Sequence, residues 1–270
     1  MKLTKLSLLI LPFILFVGCS EEKQIGLSES AADTKYVEYI FCDIGPDYSQ
    51  EGFEQMIKEW NELQDSLETP VEISVGAVPR VENDLFDFLW AIAWDSEEVR
   101  SKAWSEWLEG PGSDWTEQVA PIVSCGASDD GVEGVYAFNA YLPWINQVTD
   151  PTPDQGVASY NFCSYTDDFK EANLVKQGAE IGGFIDSLNN DYGANSAYWL
   201  AFLVPTFETP IEGSSTGKYD YAVRGYWDNE DVRLESVAFM QTLPPPSGPQ
   251  PACTGNEDVF DIYNFRNTDS

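Results

Sequence analysis

Asp87 and Asp220 each sit between two aromatic residues, in "FDF" at 86–88 and "YDY" at 219–221. A carboxylate so placed could remove a proton from a bound compound, with the rings excluding water; a tyrosine hydroxyl could do the same. Alternation along strands groups other polar residues with them. It places Tyr39, Phe41, Phe86, Phe88, Trp90, Ile92 and Trp94 toward helices. The opposite face then carries Glu38, Glu72, Ser74 and Asp87 in the first half, and Ser159, Asn161, Tyr198, Asp220, Arg224 and Tyr226 in the second. If two such faces meet, Arg224 forms an inter-sheet bridge with Glu38, Glu72 and Asp87, since a buried charge must be paired. That role is structural, and it is the plainer reading beside a catalytic carboxylate. A second candidate is a ligand pocket of Tyr39, Trp60, Trp90, Trp94 and Trp104, for which the plainer reading is core filling.

Other chemistry is excluded by composition. The 270 residues contain no His, which removes imidazole general bases, a His-ligated haem and the usual His-containing zinc sites. No phosphate-binding glycine loop or nucleophile elbow appears. The expectation is therefore a protein without cofactor or metal. A formal net charge of −32 repels nucleic acid and anionic lipid. With 43% hydrophobic and 14% aromatic residues the chain still has material for a real core.

The elements that position these residues begin after a leader. "MKLTKLSLLILPFILFVGCS" joins two lysines to an apolar run too short to span a bilayer comfortably, and reads as a signal peptide over 1–18. Its end, "FVGC", resembles the lipobox of bacterial lipoproteins. That resemblance implies lipid attachment at Cys19, a membrane anchor, and, with Ser20 following, the outer membrane of the cell envelope. Phe16 is an unusual first residue for the motif. Residues 19–35 read as the lipidated Cys and a flexible tether.

The rest of the chain repeats itself. "YIFCD" at 39–43 returns as "YNFCS" at 160–164, and "FDFLWAIAWDSEEVR" at 86–100 aligns without a gap to "YDYAVRGYWDNEDVR" at 219–233. "VYAFNAY" at 135–141 aligns with "VFDIYNF" at 259–265. The common order of these matches implies duplication, with units at 36–142 and 157–267 and a linker at 143–156. Each unit reads β-α-β-β-α-β, the order of the ferredoxin-like unit, so the fold class is α+β. In that unit the sheet order is 4-1-3-2, which brings the end of strand 1 close to the start of strand 4. Cys42 would then pair with Cys125 and Cys163 with Cys253, which excludes a thiolate nucleophile. Each bond would close a loop of roughly 80–90 residues, worth about 4 kcal/mol.

The aromatic third strand ending in Trp and running into a capped helix resembles the dimeric α/β-barrel superfamily, which includes the antibiotic-biosynthesis-monooxygenase-like domains. The resemblance implies two sheets packed face to face, ligands between sheet and helices, and a tandem chain acting as its own pseudo-dimer, hence a monomeric soluble body. Its members include cofactor-free oxygenases, haem enzymes, isomerases and non-enzymes, so the fold chooses no function. The functional expectation is a lipid-anchored, non-catalytic protein that binds a small aromatic ligand or an envelope protein. The alternative is a cofactor-independent oxygenase or isomerase of a planar aromatic or quinone-like compound, with Asp87, Asp220 or a Tyr taking the proton. A titratable group in a closed apolar cavity favours the alternative.

Overall fold

The segments Phe88–Trp94 and Tyr198–Pro205 carry apolar residues at nearly every position, and both become strands with a neighbour on either side. The computed structural model describes residues 26–126, 134–143, 155–192, 198–209, 217–242, 248–255 and 257–268; Cys19 and the leader lie outside the described residues. The first half runs through α1 (Leu27–Ser30), β1 (Asp33–Ile44), α2 (Gln50–Gln64), β2 (Ile73–Pro79), β3 (Phe88–Trp94), α3 (Glu97–Glu109), α4 (Gly112–Val119), β4 (Val123–Cys125) and β5 (Val135–Leu142). The second follows with β6 (Gln155–Ser164), α5 (Glu171–Tyr192), β7 (Tyr198–Pro205), β8 (Tyr221–Trp227), α6 (Glu230–Thr242), β9 (Ala252–Cys253) and β10 (Asp258–Asn267).

Eight of the strands form one closed antiparallel sheet in the order β2-β3-β1-β5-β7-β8-β6-β10, with β10 returning to pair β2. Closure leaves no edge to be covered. The halves therefore join at two seams, β5 with β7 and β10 with β2. Gly76 makes the second seam possible. A Cβ there would lie 2.1 Å from Cζ of Phe265, so the two strands approach this closely only without a side chain on β2. The short strands β4 and β9 pair the ends of β1 and β6. Their rungs carry the disulfides Cys42–Cys125 and Cys163–Cys253.

The helices start where short polar side chains can hold free backbone donors. Ser49 accepts from the Gly52 amide at the start of α2, and Ser96 accepts from the Val99 amide at the start of α3. α2 turns Met56 and Trp60 onto the sheet, where they meet Trp90, Ile92 and Trp94. The tether expected over 19–35 is shorter than that. Leu27 is 4% exposed and donates its amide to Glu171 on α5, and β1 already begins at Asp33. An apolar side chain with a site to bury it stays docked, so the segment from Leu27 onward belongs to the folded body.

Candidate functional site: a tyrosine-walled cavity inside the barrel

Register decides which side chains meet. Across β1 and β3, Ile40 stands opposite Trp90 and Tyr39 opposite Ala91. Residues opposite one another share a face, so Tyr39 points with Ala91 into the barrel while Trp90 points to the helices. Tyr39 and Phe41 thus lie on the barrel side, the reverse of the face expected for them. Phe86 joins them because it precedes the strand, where alternation no longer applies.

The same reversal places Glu38 among the helices. It is fully buried and accepts from Arg100 Nε at 2.7 Å, Trp104 Nε1 at 2.7 Å and Trp94 Nε1 at 3.0 Å. The expected bridge from Arg224 to Glu38, Glu72 and Asp87 is therefore corrected. Glu38 is neutralised by Arg100, Glu72 is exposed on the surface, and Asp87 caps a strand. Among the described residues, ionic ties between the halves run instead from Arg80 to Asp261 at 2.7 Å and Glu230 at 2.6 Å, and from Arg266 to Asp65 at 2.7 Å.

Asp87 and Asp220 are also corrected as proton acceptors. Asp87 Oδ2 accepts from the Ile44 amide at 2.7 Å while its own amide donates to the Cys42 carbonyl at 2.9 Å. Asp220 repeats the arrangement, accepting from Tyr165 at 2.7 Å and donating to Cys163 at 2.9 Å. Each clasps the end of its half's first strand, and neither is among the residues that line the cavity inside the barrel. The expected tryptophan pocket is likewise filled. Trp60 and Trp90 pack edge to face with ring centroids 5.1 Å apart, Trp90 Nε1 donates to Ser74 Oγ, and Trp94 and Trp104 are bound to Glu38.

What remains open is a cavity of about 390 Å³ inside the barrel, within the size range of small-molecule sites. Its wall comes from both halves: Tyr39 and Phe41 of β1, Tyr136 and Phe138 of β5, Tyr160 and Phe162 of β6, Tyr219 and Ala222 around the start of β8, and Phe260 of β10. The segment between β2 and β3 lies at its rim with Glu82 and Asp84, and Asp258 opens β10 there. Arg80 holds this rim segment down through its ion pairs and through its amide, which donates to the Val259 carbonyl.

A chain of hydrogen bonds enters this wall. Arg224 Nε donates to the Tyr160 hydroxyl at 3.1 Å, and the Tyr160 hydroxyl donates to that of Tyr39 at 3.1 Å. The guanidinium only donates, and with Tyr160 donating on to Tyr39 the donors run from Arg224 through Tyr160 to Tyr39. The proton of Tyr39 is then left to point at whatever occupies the cavity. Burial, followed by the neighbouring Tyr160, pushes the Tyr39 phenol well above its ordinary pKa, with Arg224 opposing. Tyr39 is thus a neutral donor at physiological pH. Register puts Asp258 opposite Tyr160 across β10 and β6, and Tyr160 opposite Arg224 across β6 and β8, so all three share the inner face. Desolvation raises the Asp258 carboxyl from its ordinary value, although the residue itself stays exposed at the cavity rim. Sequence reasoning named Tyr39 and Arg224 but missed Tyr160, Tyr219 and Asp258. The repeated Tyr-x-Phe-Cys frame, which sets Tyr39 and Tyr160 at equivalent places, was the signal available.

A haem held by histidine does not fit this chain. There is no imidazole, and in the first half the layer between sheet and helices, where the resemblance placed ligands, is packed with indoles.

No known family description and no curated protein matches the chain. Among solved structures it is similar to a mutant chlorite dismutase from Candidatus Nitrospira defluvii, at 8% identity and a TM-score of 0.43, over 86% of this chain and 92% of that one. It is also similar to a candidate monooxygenase from Fusobacterium nucleatum, at 9% identity and a TM-score of 0.46, over 87% of this chain and 94% of that one. The expectation of a non-catalytic binding protein is corrected here. The cavity is lined mainly by aromatic side chains and holds titratable groups, Tyr39, Tyr219 and Asp258 among them, the feature that favours the alternative reading.

Proposed function

We propose that the chain is a cofactor-independent oxygenase or isomerase of a planar aromatic or quinone-like compound, working in the cavity inside the barrel. The observation that carries this is the donor chain Arg224–Tyr160–Tyr39 ending at an apolar, aromatic wall, with the Asp258 carboxyl on the same inner face. A flat ring system packs against the wall formed by Phe41, Tyr136 and Phe162, where stacking and burial supply the binding. Asp258 takes a proton from a carbon next to a ring carbonyl. The C–H electron pair moves into the ring, and the carbonyl oxygen becomes an oxyanion that accepts from Tyr39. Such a donor, fixed before the reaction and shielded from water, stabilises the charge as it develops. Arg224 strengthens the donor through Tyr160. Return of the proton to another carbon completes an isomerisation. With dioxygen as co-reactant, a methylene that loses two hydrogens and gains one oxygen atom becomes a carbonyl, and the second oxygen atom leaves as water.

The proposal includes the architecture: two ferredoxin-like units, fused in tandem, whose strand orders β2-β3-β1-β5 and β7-β8-β6-β10 support the duplication read from the sequence. It also includes lipid attachment at Cys19, an envelope location and a monomeric soluble body. The test of the chemistry uses anthrone, a planar carbon acid. Wash-out of deuterium from its methylene reads the shared first step, and oxygen uptake separates oxygenase from isomerase. Wild-type protein is expected to accelerate wash-out, with Tyr39→Phe and Asp258→Asn each lowering the rate about 10²-fold or more, on the order typical of such groups. A rate equal to buffer, or full activity in both variants, overturns the proposal.

A further inference from the structure

We infer that Tyr219 reads a second oxygen on the bound compound, so that the site selects planar aromatics carrying oxygen at two separated positions. This rests on the cavity reading above. Tyr219 is 3% exposed and lines the same cavity as Tyr39. Its hydroxyl has no hydrogen-bond partner among the described residues. A buried hydroxyl with no partner costs free energy unless something satisfies it. Nor is this side chain loosely placed. Thr209 Oγ1 donates to the Tyr219 carbonyl at 2.8 Å and accepts from its amide at 3.2 Å, and the ring packs on Phe162 with centroids 4.8 Å apart. In the alignment of the two halves the corresponding residue is Phe86, which lines the cavity without a hydroxyl. An aromatic ring fills that position adequately, so the oxygen of Tyr219 is an addition that packing does not require.

Two of the cavity's polar points are thus the Tyr39 donor and the Tyr219 hydroxyl, set in a wall that is mainly aromatic. A compound with one oxygen satisfies only one of them. A site built to hydrogen-bond an oxygen rejects the analogue that lacks it, because the protein group is left unpaired.

The experiment compares naphthalene, 2-naphthol and 2,6-dihydroxynaphthalene as probes, binding being followed by the change in probe fluorescence. Wild-type protein is expected to bind the diol roughly tenfold tighter than 2-naphthol, one buried hydrogen bond being worth about that ratio. Tyr219→Phe keeps the ring and should abolish this preference while leaving 2-naphthol ahead of naphthalene. A preference for the diol that survives Tyr219→Phe, or no preference in the wild type, overturns the role of Tyr219 alone. Failure of all three probes to bind overturns the cavity reading together with it.

Discussion

The hydroxyl oxygens of Tyr39 and Tyr160 lie 3.1 Å apart although the residues are 121 positions apart in the chain. This contact joins the inner faces of the two halves, and Arg224 supports it from one side only. The two phenols therefore differ in what they hold. Tyr160→Phe strips an acceptor from a charged donor, for which about 1.5–3 kcal/mol of stability is expected to be lost, whereas Tyr39→Phe removes one neutral hydrogen bond and costs about 1 kcal/mol. Urea midpoints should show the first variant clearly less stable than the second. Equal midpoints would place Arg224 elsewhere.

Arg80 and Arg233 hold Glu230 between them. Hydrogen bonding from Arg233 first, and then from Arg80, lowers the Glu230 carboxyl to about 2. A depressed carboxylate stabilises the fold above its unfolded pKa, and that contribution is lost as pH falls through the folded value. The window is therefore roughly pH 4.5 down to 2. The side chain is 35% exposed, so screening leaves at most about 1 kcal/mol. The stability gap between wild type and Glu230→Gln, measured by urea at several pH values, should shrink across that window. A constant gap would show that the carboxylate charge is not what stabilises the rim.

Gly76→Ala tests barrel closure. The added Cβ collides with the Phe265 ring, so a loss of about 1–3 kcal/mol is expected, and Phe265→Leu should recover part of it. Thermal melts of the two single variants and the double variant make the comparison. Additive losses would mean that the two residues do not meet at the seam.

The disulfides span sequence separations of 83 and 90 residues, so loop closure predicts nearly equal contributions, each about 4 kcal/mol. The Cys→Ser pairs 42/125 and 163/253 should lower the guanidinium midpoint by similar amounts. A severalfold difference would show that one bond acts through native-state strain or residual structure rather than through chain entropy.

Cys19→Ala is expected to release the protein from the membrane fraction, because under the lipid-attachment proposal the anchor is carried by Cys19 and the variant has none. Fractionation with detection of the acylated N-terminal peptide checks it. Membrane retention of the variant would refute lipid anchoring.

The order of the longer strands and helices was legible in the sequence, because periodicity reports how each segment is covered, whereas the short elements α1, α4, β4 and β9 were not. "MIKEW" shows a helical stripe, and Met56 and Trp60 are indeed turned to the core. The absence of His closes several kinds of chemistry by composition alone. The faces of β1 were not legible. In "YIFC" both Tyr39 and Ile40 are buried, one by the opposite wall of the barrel and the other by helices, so the contrast between polar and apolar that alternation needs is missing. Register with β3 decided it. Asp87 and Asp220 looked catalytic because their neighbours are aromatic, but a short carboxylate at a strand end is satisfied first by the nearest free amide. The cavity could not be read along the chain at all. Its wall is assembled from β1, β5, β6, β8 and β10, and only closure of β10 onto β2 brings Tyr39, Tyr160, Tyr219 and Asp258 around one volume. Local sequence reports how each strand is covered, whereas which strands face one another across the barrel is a property of the closed sheet.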